Sequence, residues 1–291
     1  MKKEDVIIIG GGPAGMISAI QLKRYGITAR VFEQHRLGGL LWNANLVENY
    51  PGFPGGIHGP KLVRLFSQQF EALSLEPTLD TVTSLGYDGE DFLVTTQQGI
   101  FASTTLVVAT GTRPNTFPPG FLSEGAVERT YYEVAPLLDM QGKQIAVIGA
   151  GDAAFDYAIN LSRKNHVMIF NRTKEIKALP LLVQRCATIQ NIQYFEDMPV
   201  EQVMAEENGL VLKFNQDQEK AVQVDLLIGA IGRSESFPPM SAQLVREQTM
   251  LTKLGRLQIV GDVQNGIYRQ TAIAVGDGLK AAMKIYQYLK E

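Results

Sequence analysis

Cysteine is nearly absent from this sequence: the 291-residue chain contains one, Cys186. A single thiol cannot form an intramolecular disulfide, so the sequence excludes a C-x-x-C redox pair within the chain. The residues around Cys186 fit an amphipathic helix, which favours a buried structural cysteine over a reactive thiol. Any chemistry must therefore proceed without an internal dithiol.

Long apolar runs and an excess of charge are missing as well. Apolar runs such as 6–9 and 225–231 are too short to span a bilayer, and the net charge of −3 comes without a long basic stretch. We therefore expect neither a membrane nor a nucleic acid as partner. Because a core strand begins directly after residues 1–5, no leader peptide is expected and the predicted location is the cytoplasm. The three histidines, His35, His58 and His166, lack paired-ligand spacing, so no metal site is predicted.

Two glycine-rich turns, each preceded by an apolar strand and followed by a helical pattern, are the strongest positive signal. The first glycine of such a turn allows a tight bend, the second lets the backbone approach a pyrophosphate, and the third small residue lets helix and strand pack closely. The phosphates then lie at the helix N-terminus. The first turn contains Gly10, Gly12, Pro13, Ala14 and Gly15, and the second contains Gly149, Gly151, Asp152, Ala153 and Ala154.

The residue that ends the next strand distinguishes the two turns. After the first turn this residue is Glu33, a carboxylate suited to bonding ribose hydroxyls, as in the adenosine of FAD. After the second it is Arg172, a guanidinium suited to a 2′-phosphate, with Lys174 and Lys177 close behind. The sequence thus predicts FAD at the first site and NADPH at the second, with NADH as an alternative. The competing interpretation is that either turn only connects a strand to a helix.

The order of patterns predicts an α/β protein with two Rossmann-like, three-layer nucleotide-binding domains, the second inserted in the first. The predicted boundaries are 1–116 and 244–291 for the FAD-binding domain and 117–243 for the NAD(P)H-binding domain. Each domain follows its glycine turn with β-type runs, in 81–109 and in 210–230. The segment between Gly232 and Gly261 looks short and irregular, and a long helix is predicted over 271–289.

These motifs together identify a family. The chain resembles the thioredoxin-reductase-like flavoproteins over nearly its whole length, through the first glycine turn and the segments 47–53, 109–111, 261–263 and 268–270. The resemblance implies FAD, NAD(P)H and a homodimer. It implies that Asn49 lies by the isoalloxazine, that Asp262 bonds the ribityl chain, and that Gln270 and Thr271 contact the flavin edge. The residues predicted for the first site are Gly10, Gly12, Pro13, Ala14, Gly15, Glu33, Gln34, Gly39, Leu40, Asn49, Thr110, Gly111, Gly261, Asp262, Gln270 and Thr271. Those predicted for the second site are Gly149, Gly151, Asp152, Ala153, Ala154, Arg172, Lys177 and Gly232.

One departure from the family bears directly on function. Thioredoxin reductases carry C-x-x-C just before the second glycine turn, where this chain has Tyr132 and Ala135. The segments 131–134 and 149–158 are similar to those of the cysteine-free branch, the ferredoxin(flavodoxin)–NADP reductases built on the thioredoxin-reductase fold. No protein side chain is assigned as catalytic, because the flavin would supply the chemistry. Tyr132 is a possible flavin neighbour, with ordinary packing as the alternative, and Glu133 and Asp152 are read either as acid–base groups or as capping and solvated residues.

Three functions are consistent with these residues. The first is an FAD-dependent oxidoreductase that passes electrons from NADPH to ferredoxin or flavodoxin. The second is a flavin oxidoreductase that acts directly on a small molecule, namely a quinone, dioxygen or an external disulfide. The third is an FAD- or nucleotide-binding sensor or interaction protein without turnover. Reduction of the flavin by NADPH would separate the third from the other two.

Overall fold

A computed structural model describes residues 3–214 and 221–290. It contains six α-helices within these residues: α1 (Pro13–Arg24), α2 (Gly59–Glu71), α3 (Asp152–Leu161), α4 (Pro180–Ala187), α5 (Ala242–Lys253) and α6 (Thr271–Lys290). Short 3-10 turns occupy Gly39–Asn43, Glu124–Arg129, Ala135–Leu137 and Gly261–Val263. No helix in the described ranges is long and apolar enough to cross a membrane.

The strands number seventeen in the same residues. The first nine are β1 (Lys3–Ile9), β2 (Arg30–Glu33), β3 (Pro77–Leu79), β4 (Val82–Tyr87), β5 (Phe92–Thr96), β6 (Ile100–Val108), β7 (Thr112–Pro114), β8 (Thr130–Tyr131) and β9 (Gln144–Ile148). The others are β10 (His166–Phe170), β11 (Ile192–Phe195), β12 (Val200–Glu206), β13 (Gly209–Phe214), β14 (Ala221–Val224), β15 (Leu226–Gly229), β16 (Arg233–Glu235) and β17 (Leu257–Ile259).

The chain forms two compact units. Unit 1 contains residues 1–42, 47–113 and 235–291, and unit 2 contains residues 43–46 and 114–234. The sequence-predicted boundaries differ in three respects. The short segments 43–46 and 114–116, predicted in the FAD-binding domain, belong to unit 2, and residues 235–243, predicted in the NAD(P)H-binding domain, belong to unit 1.

Unit 1 is built on a seven-stranded sheet with the order β3-β2-β1-β6-β5-β4, in which β17 also pairs with β6. Strands β1, β2, β3, β6 and β17 are parallel neighbours, whereas β4 and β5 continue the sheet antiparallel. Because alternate residues of a strand point to opposite faces, β1 contributes Val6 and Ile8 to a core with α1 and α6, and Ile7 and Ile9 to a core with β4, β5 and α5.

Helix α5 corrects the irregular reading of the segment before Gly261. Ser241 caps it, since its hydroxyl accepts the Leu244 N–H at 3.2 Å, and Leu244 and Leu251 are fully buried. These two leucines lie seven residues apart and thus on one face of the helix. The buried apolar stripe of α5 consists of these two leucines, so the helical pattern of apolar residues is weak in the sequence.

Unit 2 has three layers. Its central sheet is parallel, in the order β11-β10-β9-β15-β8. Helices α3 and α4 cover one face, where Ile145, Val147 and Ile169 are buried. An antiparallel sheet, β12-β13-β14, covers the other face through Phe170 and Leu227. As in other parallel sheets, the carboxyl ends of the strands share one edge, and both glycine turns lie at such an edge.

Candidate functional site

The first glycine turn has the backbone geometry that a pyrophosphate requires. The Gly10 N–H donates to Phe32 O at 2.8 Å, and a Cβ at Gly15 would lie 1.8 Å from Gly10 O, so only glycine fits there. Gly12, the N-cap of α1, is different: a Cβ there would meet no described heavy atom within 4 Å. The N-terminus of α1 is therefore open to a ligand, with its first N–H groups unpaired within the helix.

Glu33 is held rigidly at the carboxyl end of β2. Its Oε2 accepts the Gly11 N–H at 2.8 Å and its Oε1 accepts the His35 N–H at 3.0 Å. These bonds bring the carboxylate to the glycine turn, as the sequence predicts for a residue that binds the adenosine ribose.

Other residues predicted for the first site lie around the same turn. A Cβ at Gly39 would lie 3.3 Å from Gly12 Cα, and one at Gly261 would lie 3.0 Å from Ala14 Cβ. The Oγ1 of Thr110 is buried without a hydrogen-bond partner among the described residues. An orphaned hydroxyl and an unobstructed helix N-terminus are what a dinucleotide site would present, so these residues fit FAD.

The remaining predicted residues of the first site are less tightly clustered. Asn49 Nδ2 donates to Gln270 Oε1 at 2.8 Å, so the structure brings this predicted flavin-edge pair together. Asp262 lies in the 3-10 turn Gly261–Val263. Gln34 is exposed. The other predicted residues of this group are partly buried, namely Pro13, Leu40, Gly111 and Thr271.

The second glycine turn repeats the first almost bond for bond. The Gly149 N–H donates to Phe170 O at 3.1 Å, and a Cβ at Gly149 would lie 2.3 Å from Ala230 O. The same 2.3 Å separates a Cβ at Gly10 from Ala109 O. Gly151, the N-cap of α3, is as unobstructed as Gly12 among the described residues. The internal duplication inferred from pattern is thus present in the backbone.

The loop after β10 carries the predicted cations of the second site. Arg172 and Lys177 are both exposed, and the Lys177 N–H donates to Ala150 O at 2.9 Å, which ties this loop to the glycine turn. The Oδ1 of Asp152 accepts the Leu179 N–H at 2.8 Å. Asp152 therefore fastens the far end of the loop and is not the N-cap of α3. Ala153 is exposed at this helix start, Ala154 is buried, and Gly232 has a positive φ of 100°.

The positions of the absent dithiol are occupied by residues with other contacts inside unit 2. The Tyr132 hydroxyl accepts the Phe117 N–H at 3.1 Å, and the two rings lie 5.6 Å apart. The Ala135 N–H donates to Asn43 Oδ1 at 3.0 Å. Between them, Glu133 Oε1 forms an ion pair with Arg233 at 3.1 Å. Glu133 is thus neither a helix cap nor simply solvated, and the role of Tyr132 as a flavin neighbour stays a prediction.

Cys186 is buried in α4, as its sequence context predicts. Its Sγ donates to Phe155 O at 3.6 Å, and burial raises the pKa of the thiol to about 12, with the negative charge of Asp156 acting in the same direction. Because the thiolate is the nucleophile in disulfide exchange, a thiol with this pKa is inert near neutral pH.

Sequence reasoning missed three features near these sites. The segment 43–46 is bound within unit 2, where the Asn45 N–H donates to Asp156 Oδ2 at 2.9 Å. In unit 1, Asp277 Oδ2 accepts the Gly261 N–H at 3.2 Å and supports the predicted flavin-site turn. Asp80, next to the end of β3, is buried with one oxygen unpartnered among the described residues. No spacing signal marks Asn45 and Asp277, because each bonds a partner that is distant in sequence.

The comparisons with known proteins identify the family. The model of the pyridine nucleotide-disulphide oxidoreductases matches residues 4–278. The chain belongs to this family.

Several curated relatives of similar length are thioredoxin reductases. The protein from Streptomyces coelicolor is 31% identical, with 98% of this chain and 94% of the relative covered. The protein from Borreliella burgdorferi is 26% identical, with 99% and 92% covered. The NADPH-dependent thioredoxin reductase 3 of Arabidopsis thaliana is 29% identical, but this chain spans only 58% of its length.

Solved structures agree on the fold. A thioredoxin reductase from Lactococcus lactis superimposes with a TM-score of 0.83 at 25% identity, covering 99% of both chains. A bacillithiol disulfide reductase from Bacillus cereus shares the fold alone, with a TM-score of 0.72 at 20% identity and with 98% of this chain and 99% of the other covered.

The predicted fold class, α/β with two Rossmann-like nucleotide-binding domains, is confirmed. So is the predicted resemblance to the thioredoxin-reductase-like flavoproteins. The chain is an oxidoreductase of the pyridine nucleotide-disulphide family, and the predicted cofactors, FAD and NADPH, are those that the thioredoxin reductases of this family use.

Proposed function

We propose that this chain is an NADPH-dependent flavoprotein oxidoreductase that passes electrons from FAD directly to an external acceptor, with ferredoxin or flavodoxin as the first candidates. The observation that carries the proposal is the missing dithiol. Tyr132 and Ala135 replace the two cysteines of the thioredoxin reductases, and the remaining thiol, on Cys186, is buried and protonated.

The relatives' names suggest thioredoxin as the acceptor, but the chemistry of this chain argues against it. Reduction of a protein disulfide by a thiol relay requires a thiolate that attacks it and a second thiol that resolves the mixed disulfide. Cys186 has no second cysteine to resolve such an intermediate. Electrons must then leave from the flavin itself, which when bound accepts a hydride from the nicotinamide and can release electrons singly.

The two predicted sites would bind different cofactors. In unit 1, Glu33 and the open α1 N-terminus would hold the adenosine and pyrophosphate of FAD, with Asn49 and Gln270 beside the ring. In unit 2, the α3 N-terminus would hold the pyrophosphate of NADPH, and Arg172 and Lys177 its 2′-phosphate. The homodimer implied by the resemblance stays a prediction for this chain.

A small-molecule acceptor is the second candidate. Asn49 and Gln270, the residues predicted for the flavin edge, are both exposed in unit 1. An exposed edge admits a quinone, dioxygen or a small disulfide as readily as it admits a protein carrier.

The test is anaerobic reduction of the purified flavoprotein by NADPH, followed by a panel of acceptors. We expect NADPH to bleach the flavin, and ferredoxin or flavodoxin, ferricyanide and a quinone to reoxidise it, whereas thioredoxin does not. Cys186→Ser should leave every rate unchanged.

Two results would count against the proposal. Flavin that stays yellow with NADPH would indicate a binding protein without turnover. Thioredoxin reduction that persists after repurification and is lost in Cys186→Ser would show that the cysteine carries electrons.

A further inference from the structure

The loop that carries the predicted 2′-phosphate cations begins at a buried asparagine. Asn171 is the first residue after β10 and is only 4% exposed, whereas Arg172, Lys174 and Lys177 are exposed. A polar side chain is buried here at the carboxyl edge of the parallel sheet, directly before the first cation. Burying an amide is unfavourable unless its hydrogen bonds are satisfied, so its partners indicate what it holds in place.

The Asn171 side chain ties the loop to itself and to the neighbouring strand. Its Nδ2 donates to Glu175 O at 2.9 Å and to the Tyr194 hydroxyl at 2.9 Å, and its Oδ1 accepts the Thr173 N–H at 3.3 Å. Both amide hydrogens and the amide oxygen are therefore used. Two of the three bonds fix the loop backbone at Thr173, between Arg172 and Lys174, and at Glu175, directly after Lys174.

The third bond anchors the loop to the core that supports the glycine turn. Tyr194 lies in β11, and its ring centroid is 5.8 Å from that of Phe155, a fully buried residue of α3. Helix α3 is the helix whose N-terminus forms the predicted pyrophosphate site. The cation loop and the pyrophosphate site are thus fixed to one packed element.

The cations themselves have little else to hold them. Within the described residues, Arg172, Lys174 and Lys177 form no hydrogen bond or ion pair through their side chains, and Glu175 is the acidic residue within the loop. Long cationic side chains lose rotamer freedom when they bind a phosphate. A fixed backbone lowers that entropic cost, because only the side chains remain to be ordered.

We propose that Asn171 is a positioning residue for nucleotide specificity: its amide holds the loop 172–177 so that Arg172 and its neighbouring lysines meet the 2′-phosphate of NADPH. This inference rests on the proposed NADPH site. Asn171 touches no part of the nucleotide and acts through the cations.

The experiment measures the dissociation constants of 2′,5′-ADP and 5′-AMP by calorimetry on the FAD-loaded protein, since these probes differ only in the 2′-phosphate. Asn171→Ala should weaken 2′,5′-ADP binding about tenfold and 5′-AMP binding by no more than about twofold, because it costs well-placed charge-assisted bonds to the phosphate. Tyr194→Phe, which keeps the ring but removes one partner of the amide, should weaken 2′,5′-ADP binding about threefold. This variant decides the question alone if Asn171→Ala does not fold.

A matched control lies at the other end of the same strand. Asn165 is 3% exposed, precedes β10, and also bonds through its amide, to Met140 O at 3.0 Å, Leu161 O at 3.1 Å and the Lys143 N–H at 3.0 Å. Asn165→Ala should lower the unfolding temperature but leave the ratio of the two dissociation constants unchanged.

The outcomes separate the inference from the proposed function. If Arg172→Ala abolishes the preference for 2′,5′-ADP but the Asn171 and Tyr194 variants keep it, the positioning role is wrong and the NADPH site stands. If the wild-type protein shows no preference and Arg172→Ala changes nothing, the proposed NADPH site fails and the inference fails with it.

Discussion

Burial changes the pKa of one acidic residue, Asp156, in the direction that disfavours its charged form. Its carboxylate lies in α3 and accepts the Asn45 N–H, yet burial outweighs this bond and the positive charge of Arg163 and raises its pKa from 3.8 to about 6. Between about pH 4 and pH 6 the native state holds a proton that the unfolded chain has released. The native state is therefore stabilised at the acidic end of this window, and that contribution is lost as the pH rises through the native pKa.

Asp156→Asn should remove this pH dependence. The asparagine Oδ1 can still accept the Asn45 N–H, but it carries no charge to desolvate. We expect the variant to be more stable than the wild type above about pH 7, by about 1–3 kcal/mol, with the gap closing toward about pH 4. Urea denaturation from about pH 5 to pH 8 measures this difference. Parallel stability curves for the two proteins would mean that Asp156 is not the titrating group.

Two glycines of one turn have opposite roles at the scale of the element. Gly15 is required by the fold, because a Cβ would lie 1.8 Å from Gly10 O. Gly12 has φ −73° and ψ −177°, which any residue adopts, and no described heavy atom lies within 4 Å of a Cβ built there. Its small size is what the predicted pyrophosphate site at the start of α1 would require.

Gly12→Ala should therefore separate folding from cofactor binding. We expect the apoprotein to lose less than about 1 kcal/mol of unfolding free energy, and FAD binding to weaken at least about tenfold, because the methyl group lies where the pyrophosphate would approach. Gly15→Ala should instead destabilise the apoprotein itself, by at least about 1–3 kcal/mol. Urea unfolding of the apoproteins and FAD titration give the two quantities. Unchanged FAD affinity in Gly12→Ala would place the pyrophosphate elsewhere.

The elements that could be predicted from the sequence are those whose signal is local. The glycine turns, the strands 92–96 and 221–224 and the last helix follow from short-range pattern, and the structure has them with few shifts. The parts that could not be predicted depend on contacts between distant residues. Asn171 contacts Tyr194, and Asn45 contacts Asp156, at separations that no periodicity encodes. Helix α5 could not be predicted for a different reason: with two buried leucines its local apolar pattern is weak.

At the scale of the whole molecule, the chain passes between its two units at 42/43, 46/47, 113/114 and 234/235, and each unit has its own glycine turn. Its one tryptophan, Trp42, lies in unit 1. The Trp42 Nε1 donates to Leu37 O at 2.8 Å, and the Arg36 guanidinium lies 4.0 Å from the ring centroid. The nearby Gly38 N–H donates to Gly11 O at 2.8 Å, so the segment that Trp42 bonds is itself hydrogen-bonded to the first glycine turn. The molecule thus contains an intrinsic probe for the predicted FAD site.

Trp42 fluorescence should report which cofactor enters unit 1. Flavins absorb where tryptophan emits, so we expect FAD added to the apoprotein to quench the emission in a saturable way. FMN should quench only at far higher concentration, because it lacks the adenosine that Glu33 would hold at the glycine turn. The probe 2′,5′-ADP, which does not absorb where tryptophan emits, should leave the emission unchanged, which controls for nucleotide binding in general. Equal quenching curves for FMN and FAD would show that unit 1 does not recognise an adenosine, and the role predicted for Glu33 would then be wrong.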